Sequence, residues 1–210
     1  MKLILLGAPG AGKGTQADLL SARLKVPTIS TGNMLRAAIK NRTTIGQMAE
    51  EYINRGALVP DEVVLGILAE RLQQEDCRNG YILDGVPRTV HQAETLEKTN
   101  VAIDAAIYLD VSDETIIRRM SGRRVCPNCG QSYHVQNMPP KQEGICDKCG
   151  AQLVQRADDT PEIVQQRLAV YHKETEPLCD FYEARGLLKP VRTVSPVEAV
   201  LQEILSVLGV

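Results

Sequence analysis

Gly7-Ala8-Pro9-Gly10-Ala11-Gly12-Lys13-Gly14-Thr15 decides the reading of this chain, because it follows the apolar run Lys2 to Leu6 and opens the helically periodic segment Thr15 to Leu24. A strand that turns through glycines into a helix leaves backbone N–H groups unpaired at the helix N-terminus, where they cradle a polyphosphate while a lysine neutralises its charge. The spacing fits G-x-x-x-x-G-K-[ST] except in its last position. Gly14 stands in the Ser/Thr slot and Thr15 follows one place later.

Working outward, short apolar runs at Leu3 to Leu6, Tyr81 to Leu83 and Ala105 to Leu109 read as buried parallel strands. Thr15 to Leu24, Asp61 to Gln74, Asp113 to Met120 and Pro161 to Tyr171 carry apolar residues at three and four spacing and read as covering helices, with Asp61 and Asp113 expected at N-caps. Strand and helix in alternation give an α/β class with a doubly wound parallel sheet. Residues 30–59 read as a helical insertion. From Gly122 to Asp159 the periodicity gives way to Cys, Pro, Gly and polar residues, so a second, small inserted module is expected there, one that needs its own staple.

The chain has 210 residues, enough for one medium core with insertions, and its hydrophobic share of 43% and charged share of 24% are those of an ordinary globular protein. A net charge of −2 supplies no global attraction for nucleic acid or an anionic membrane, so phosphate binding must be local. No apolar run approaches the roughly 20 residues of a bilayer span. The first strand flows directly into the glycine-rich loop, leaving no room for a cleavable signal peptide, and the protein is read as cytoplasmic.

Four of the six Cys form Cys126-Pro-Asn-Cys129 and Cys146-Asp-Lys-Cys149, two C-x-x-C pairs sixteen residues apart. That spacing suits a tetrahedral zinc site, and Gly130 and Gly150 follow each pair where a knuckle turns. Four thiolates close the coordination sphere, so the metal is expected to be structural. A redox-active disulfide module is the competing reading. A zinc ribbon on a phosphate-binding ATPase also raises nucleic-acid binding. Between Cys126 and Cys149, however, Lys141 and Lys148 are balanced by Glu143 and Asp147, and Tyr133 is the sole aromatic. Cys77 and Cys179 are expected as small core residues.

The loop form GAPGAGKGT resembles that of adenylate kinases, and further segments in the same order extend the resemblance over nearly the whole chain. Ile29 to Arg36 is similar to the family's monophosphate-binding motif, with Asn33 where Asp is usual. Ala57 to Asp61 resembles the segment that closes that site. Tyr81 to Thr89 resembles the strand and loop usually written with Phe-Pro-Arg, with Val86 in place of Phe, and Gln92 follows at the family's spacing. The resemblance implies a P-loop kinase core over 1–29, 60–121 and 160–210, a monophosphate-binding insertion over 30–59 and a zinc-bound lid over 122–159. It implies transfer of a phosphoryl group from Mg-ATP to AMP giving ADP. Kinases of CMP, UMP or GMP would share loop and lid.

By the same resemblance, Gly10, Ala11, Gly12, Lys13, Gly14, Thr15, Arg119, Arg123, Ser132, Tyr133 and Ser195 would bind ATP. Thr31, Arg36, Ala57, Leu58, Val59, Gly85, Val86, Pro87, Arg88, Gln92, Arg156 and Arg167 would bind AMP. Catalysis would fall to Lys13, Arg88, Arg123, Arg156 and Arg167, because phosphoryl transfer between anions needs planar cationic forks rather than a strong base. Gln92 would read the adenine edge with a donor and an acceptor. Asp84 is the candidate for the outer shell of Mg²⁺, Asp158 and Asp159 for partners of the arginines or of magnesium waters, and His134 for a turn residue. The loop Thr193 to Pro196 would touch the ATP base. A monomer with no nucleic-acid or membrane partner is expected.

Overall fold

The computed structural model describes residues 1–193 and 196–210. Its centre is a five-stranded parallel sheet made of β1 (Lys2–Leu6), β2 (Thr28–Ser30), β3 (Tyr81–Asp84), β4 (Ala105–Asp110) and, later in the chain, β7 (Leu188–Arg192), in the order β2-β3-β1-β4-β7. The helices are α1 (Lys13–Leu24), α2 (Thr31–Lys40), α3 (Thr44–Asn54), α4 (Asp61–Leu72), α5 (Val90–Lys98), α6 (Asp113–Ser121), α7 (Pro161–Val170), α8 (Leu178–Glu183) and α9 (Val197–Leu208). A two-stranded antiparallel ribbon, β5 (Arg123–Val125) with β6 (Ser132–His134), lies between α6 and α7. This is the α/β P-loop kinase fold.

Strand alternation separates the core into two layers. Leu3, Leu5, Ile82, Ile107 and Leu109 face the layer formed with α1, α6, α7 and α9. Ile4, Leu6, Leu83 and Ala106 face the layer formed with α2 to α5 and α8. Because both faces are covered, the strands read as continuous apolar runs, which is why β1, β3 and β4 are legible in the sequence. β2 has only three residues and β7 is an edge strand containing Pro190, so neither carries such a run. No helix among the described residues is long and apolar enough to cross a membrane.

The expected N-caps are corrected by one residue. Pro60 and Ser112 occupy the cap positions, and Asp61 and Asp113 are the first helical residues. Their carboxylates still lie in the acidic first turns that the helix dipole favours, but each is drawn to a distant partner. The helix expected over Pro161 to Tyr171 ends at Val170 and continues as a π-helical turn, Tyr171–Thr175, closed by Glu176 N–H donating to Tyr171 O at 2.9 Å. Cys77 is buried as expected, whereas Cys179 is only half-buried.

On that π turn, His172 joins two elements. Its Nδ1 lies 2.9 Å from Glu176 Oε2 and its Nε2 2.9 Å from Asp113 Oδ2. The bonds to Glu176 and then Asp113 raise the imidazole above its ordinary 6.5. A raised folded pKa means the stabilisation is complete below the unfolded value and is lost as pH rises through the folded one. These groups are nearly half exposed, so the contribution stays below about 1 kcal/mol. His172→Gln is accordingly expected to melt about 1–3 °C below the parent at pH 5.5, with the gap closing by pH 9 in calorimetric scans. A gap independent of pH would show that the link is not ionic.

Candidate active site

The strand order reverses at β1, and the crevice beyond the C-terminal ends of the strands at such a point is where ligands of open α/β sheets bind. A cleft of 840 Å³ opens there. Its floor is the loop between β1 and α1. Gly7 and Gly10 adopt φ of 137° and 84°, and a Cβ would lie 2.8 Å from Leu109 O at the first and 2.7 Å from Met120 Sδ at the second. Only glycine satisfies both the backbone conformation and the close packing.

Lys13, the first residue of α1, donates from Nζ to Gly7 O at 2.6 Å and Ala8 O at 2.9 Å, which folds its ammonium across the loop. Burial, only partly offset by Asp84, brings its pKa down to about 8. Asp84 ends β3 and its Oδ2 accepts from Ser30 Oγ at 3.1 Å. Two adjacent strand ends thus place a hydroxyl and a carboxylate beside the loop.

Seven cationic side chains line the cleft against three carboxylates. Arg119, from α6, bridges the loop to the far wall, donating to Ala11 O at 3.4 Å and Thr193 O at 2.6 Å. Arg88 Nε donates to Gly85 O at 2.9 Å, and the same carbonyl accepts from Thr31 Oγ1 at 2.9 Å, so α2 is pinned to the loop after β3. Among the described residues Arg36 finds a neutral hydrogen-bond partner, the Asn33 side-chain oxygen. Burial, then the nearby Arg156, lower it to about 9, with Asp158 opposing.

The remaining arginines are organised by two aspartates. Arg123 pairs through Nε with Asp159 Oδ2 at 2.8 Å and through Nη2 with Oδ1. Arg156 pairs with both oxygens of Asp158, and Arg167 Nη1 reaches Asp158 Oδ2 at 2.8 Å and Asp159 Oδ1 at 3.5 Å. Burial alone would raise the Asp158 carboxyl, yet Arg156, Arg167 and Arg123 hold it down to about 2. Of the two expected kinds of partner for these aspartates, the structure supplies arginines. Fork-shaped pairs fix the guanidinium planes while leaving other N–H donors free.

Beside the cleft, Cys126, Cys129, Cys146 and Cys149 bring four Sγ atoms within 4.8 Å of one another. A tetrahedron with metal–sulfur bonds of about 2.3 Å has edges near 3.8 Å. Cys126 and Cys149 Sγ are 3.4 Å apart and Cys129 and Cys146 Sγ 3.6 Å, well beyond the roughly 2.05 Å of a disulfide. The donor set therefore suits a metal ion, and the disulfide reading fails in this geometry. Tyr133 and Leu153 form the small buried cluster around the thiols.

Comparison with known proteins fits this geometry. The family model described as adenylate kinase matches residues 5–187. The adenylate kinase of Caldicellulosiruptor bescii is 52% identical over 214 residues, covering 100% of both chains, and that of Lachnospira eligens is 52% identical over 213 residues with the same coverage. That of Oceanobacillus iheyensis is 51% identical over 212 residues, covering 99% of each.

The chain belongs to the adenylate kinase family.

Of the site residues the family resemblance singled out, all those described line the cleft except the four Cys, Val86 and Asp159. Val86 is 1% exposed and packs in the core layer with Ile4 and Leu83, so this departure from the family's usual Phe is a packing substitution. Ser195 lies outside the described residues. Tyr133 borders the cleft, but its hydroxyl accepts from Asp147 N–H at 2.8 Å within the thiol module. His134 is the expected turn residue, its Nδ1 accepting from Gln136 N–H at 3.0 Å and Asn137 N–H at 3.1 Å.

Sequence reasoning missed several contacts that shape this adenylate kinase cleft. Thr175, on the π turn, donates from Oγ1 to Arg88 O at 2.8 Å. Lys40 Nζ reaches Pro127 O at 3.3 Å, joining α2 to the first Cys knuckle. No local signal marks either pair, since the partners lie 87 residues apart in each case.

Proposed function

We propose that the chain catalyses reversible transfer of the terminal phosphoryl group of Mg-ATP to AMP, giving two ADP. The observation that carries the reading is the concentration of cationic forks around one cleft that also holds a phosphate-binding loop. The acceptor is already an anion, so chemistry reduces to alignment, charge stabilisation and exclusion of water.

The roles divide by position. The N–H groups of Gly10 to Thr15, with Lys13 and Arg119, hold the ATP phosphates. Ser132, Tyr133 and Ser195 would border its nucleoside. Thr31, Arg36, the backbone of Ala57 to Val59, Gly85, Pro87, Arg88 and Gln92 form the AMP side. Arg123, Arg156 and Arg167, oriented by Asp158 and Asp159, meet the transferring group from above. Asp84 and Ser30 face water molecules of the substrate magnesium ion. Residues 30–59 and 122–159 are the moving parts, and their closure excludes water.

The four Cys hold zinc, which supplies structural cross-linking to a segment that has too little apolar core of its own. The enzyme works as a cytoplasmic monomer without nucleic acid, since the thiol module lacks a basic or aromatic face.

The test is the acceptor. With Mg-ATP supplied, AMP is expected to exceed CMP and UMP by about 100-fold or more in kcat/KM, and Arg88→Ala to lower the AMP value by about 100-fold. Comparable use of a pyrimidine monophosphate would move the assignment to a sister kinase.

A further inference from the structure

Gln92 is 1% exposed, yet it borders the cleft and has both ends of its side-chain amide engaged. Its Nε2 donates to Asp61 Oδ1 at 2.6 Å, and its Oε1 accepts from Arg88 N–H at 2.7 Å. A carboxylate only accepts and a backbone N–H only donates, so the two partners together dictate which end of the amide is oxygen and which is nitrogen. Turning the amide over would set donor against donor and acceptor against acceptor in a buried place.

Asp61 is itself held from three sides. Its Oδ2 accepts from Thr89 Oγ1 at 3.0 Å and lies 2.9 Å from His91 Nδ1, leaving Oδ1 to Gln92. Against a carboxylate that imidazole nitrogen is the protonated one. Thr89 in turn caps α5 by accepting from Gln92 N–H at 3.1 Å. The first residue of α4 is thereby locked to the first turn of α5, the turn that carries Gln92.

We propose that Asp61 is a positioning residue that sets base selectivity by fixing the direction of the Gln92 amide. The inference rests on the reading of the cleft as an AMP site. The two bonds use one amide donor and one acceptor lone pair, leaving one N–H and one lone pair for a base. Adenine offers a ring-nitrogen acceptor beside an amino donor. A 6-oxopurine has nearly the same outline with the two roles exchanged: a carbonyl acceptor beside a ring N–H donor. A freely turning amide serves both, whereas an amide fixed by Asp61 serves only one.

The experiment compares kcat/KM for AMP and IMP, with Mg-ATP as donor, in the parent and in Asp61→Asn. IMP isolates the exchange of donor and acceptor, because it lacks the 2-amino group of GMP. Asparagine keeps the volume of aspartate but can present an N–H to Gln92, removing one of the two mismatches that forbid the turned amide. The AMP-to-IMP ratio is expected to fall about tenfold or more, with the fall shared between weaker AMP use and stronger IMP use. A general loss of packing would lower both substrates together and leave the ratio in place, and that result overturns the proposal.

A second measurement needs no variant. In the ligand-free parent, one side-chain amide proton of Gln92 is expected to exchange with solvent at least about tenfold more slowly than those of exposed glutamines, because the side chain is buried and a half-buried carboxylate holds that proton. Exchange at the rate of exposed glutamines would overturn the proposal. Failure of the underlying reading looks different: the parent itself would then transfer phosphate to AMP no better than to IMP.

Discussion

Lys13→Met is expected to lower kcat/KM by about 10³-fold or more while leaving the thermal midpoint level with the parent or above it. The two halves of that outcome have one cause. The ammonium sits at the floor of the cleft, where burial depresses its pKa to about 8 from 10.5. A shift of that size means that holding the charge there costs a few kcal/mol of folding stability at neutral pH. Methionine removes the cost and keeps the aliphatic stem, while the hydrogen bonds to Gly7 O and Ala8 O that are lost return about 1 kcal/mol each. Stability therefore changes little or rises, and activity is expected to collapse because the cation folded across the loop is gone. Thermal unfolding scans and steady-state kinetics on the same preparation check both. A variant within tenfold of parental kcat/KM would remove Lys13 from the phosphate site.

The same depression fixes a sign for proton linkage. Near pH 8 a substantial fraction of Lys13 is neutral in the empty cleft, and a polyphosphate beside it restores the charged form. Mg-ATP binding at pH 8 to 8.5 is expected to take up protons, with less uptake at pH 6.5, where the ammonium is already charged. Calorimetric titration in buffers of different ionisation enthalpy reads the number directly. In Lys13→Met this uptake disappears, which separates it from protons gained elsewhere.

What the sequence made legible was whatever depends on neighbours in the chain. The loop's strand, glycines, lysine and helix occupy nine consecutive residues and their flanks, so local rules reach all of it. The two C-x-x-C pairs carry their own geometry in the same way. Asp61 shows the opposite case. Placed before a helix, it reads as a cap, and only the fold brings it to Gln92, 31 residues later. The missed strands follow the same logic. β5 and β6 are three residues each, Arg-Arg-Val and Ser-Tyr-His, and with Tyr133 the one buried residue among the six they are too short for an alternation to be detected. Asp158 and Asp159 were visible as acids at the module's exit, but their assignment to three separate arginines needed α7 and β5 to be in place.

Disruption of the proposed zinc site by Cys126→Ser with Cys146→Ser is expected to lower the thermal midpoint by about 10 °C or more, with kcat at 15 °C within about threefold of the parent. The buried apolar cluster of the module between β5 and α7 is Cys126, Tyr133, Cys146 and Leu153, too small to offset the entropy of ordering its loops. A tetrathiolate metal site contributes about 10–16 kcal/mol to folding of an isolated zinc module, and even a third of that moves a chain of this size by about 10 °C. In the two knuckles, Cys126 N–H donates to Gln131 O at 2.9 Å and Cys146 N–H to Ala151 O at 2.9 Å, so both turns are organised around the thiol-bearing residues. Four thiolates leave no coordination position for substrate, so turnover at low temperature is expected to have no use for the ion. Atomic absorption is expected to find one zinc per parent chain and none in the variant. Loss of turnover in proportion to metal, with the midpoint unmoved, would make the ion catalytic and overturn its structural assignment.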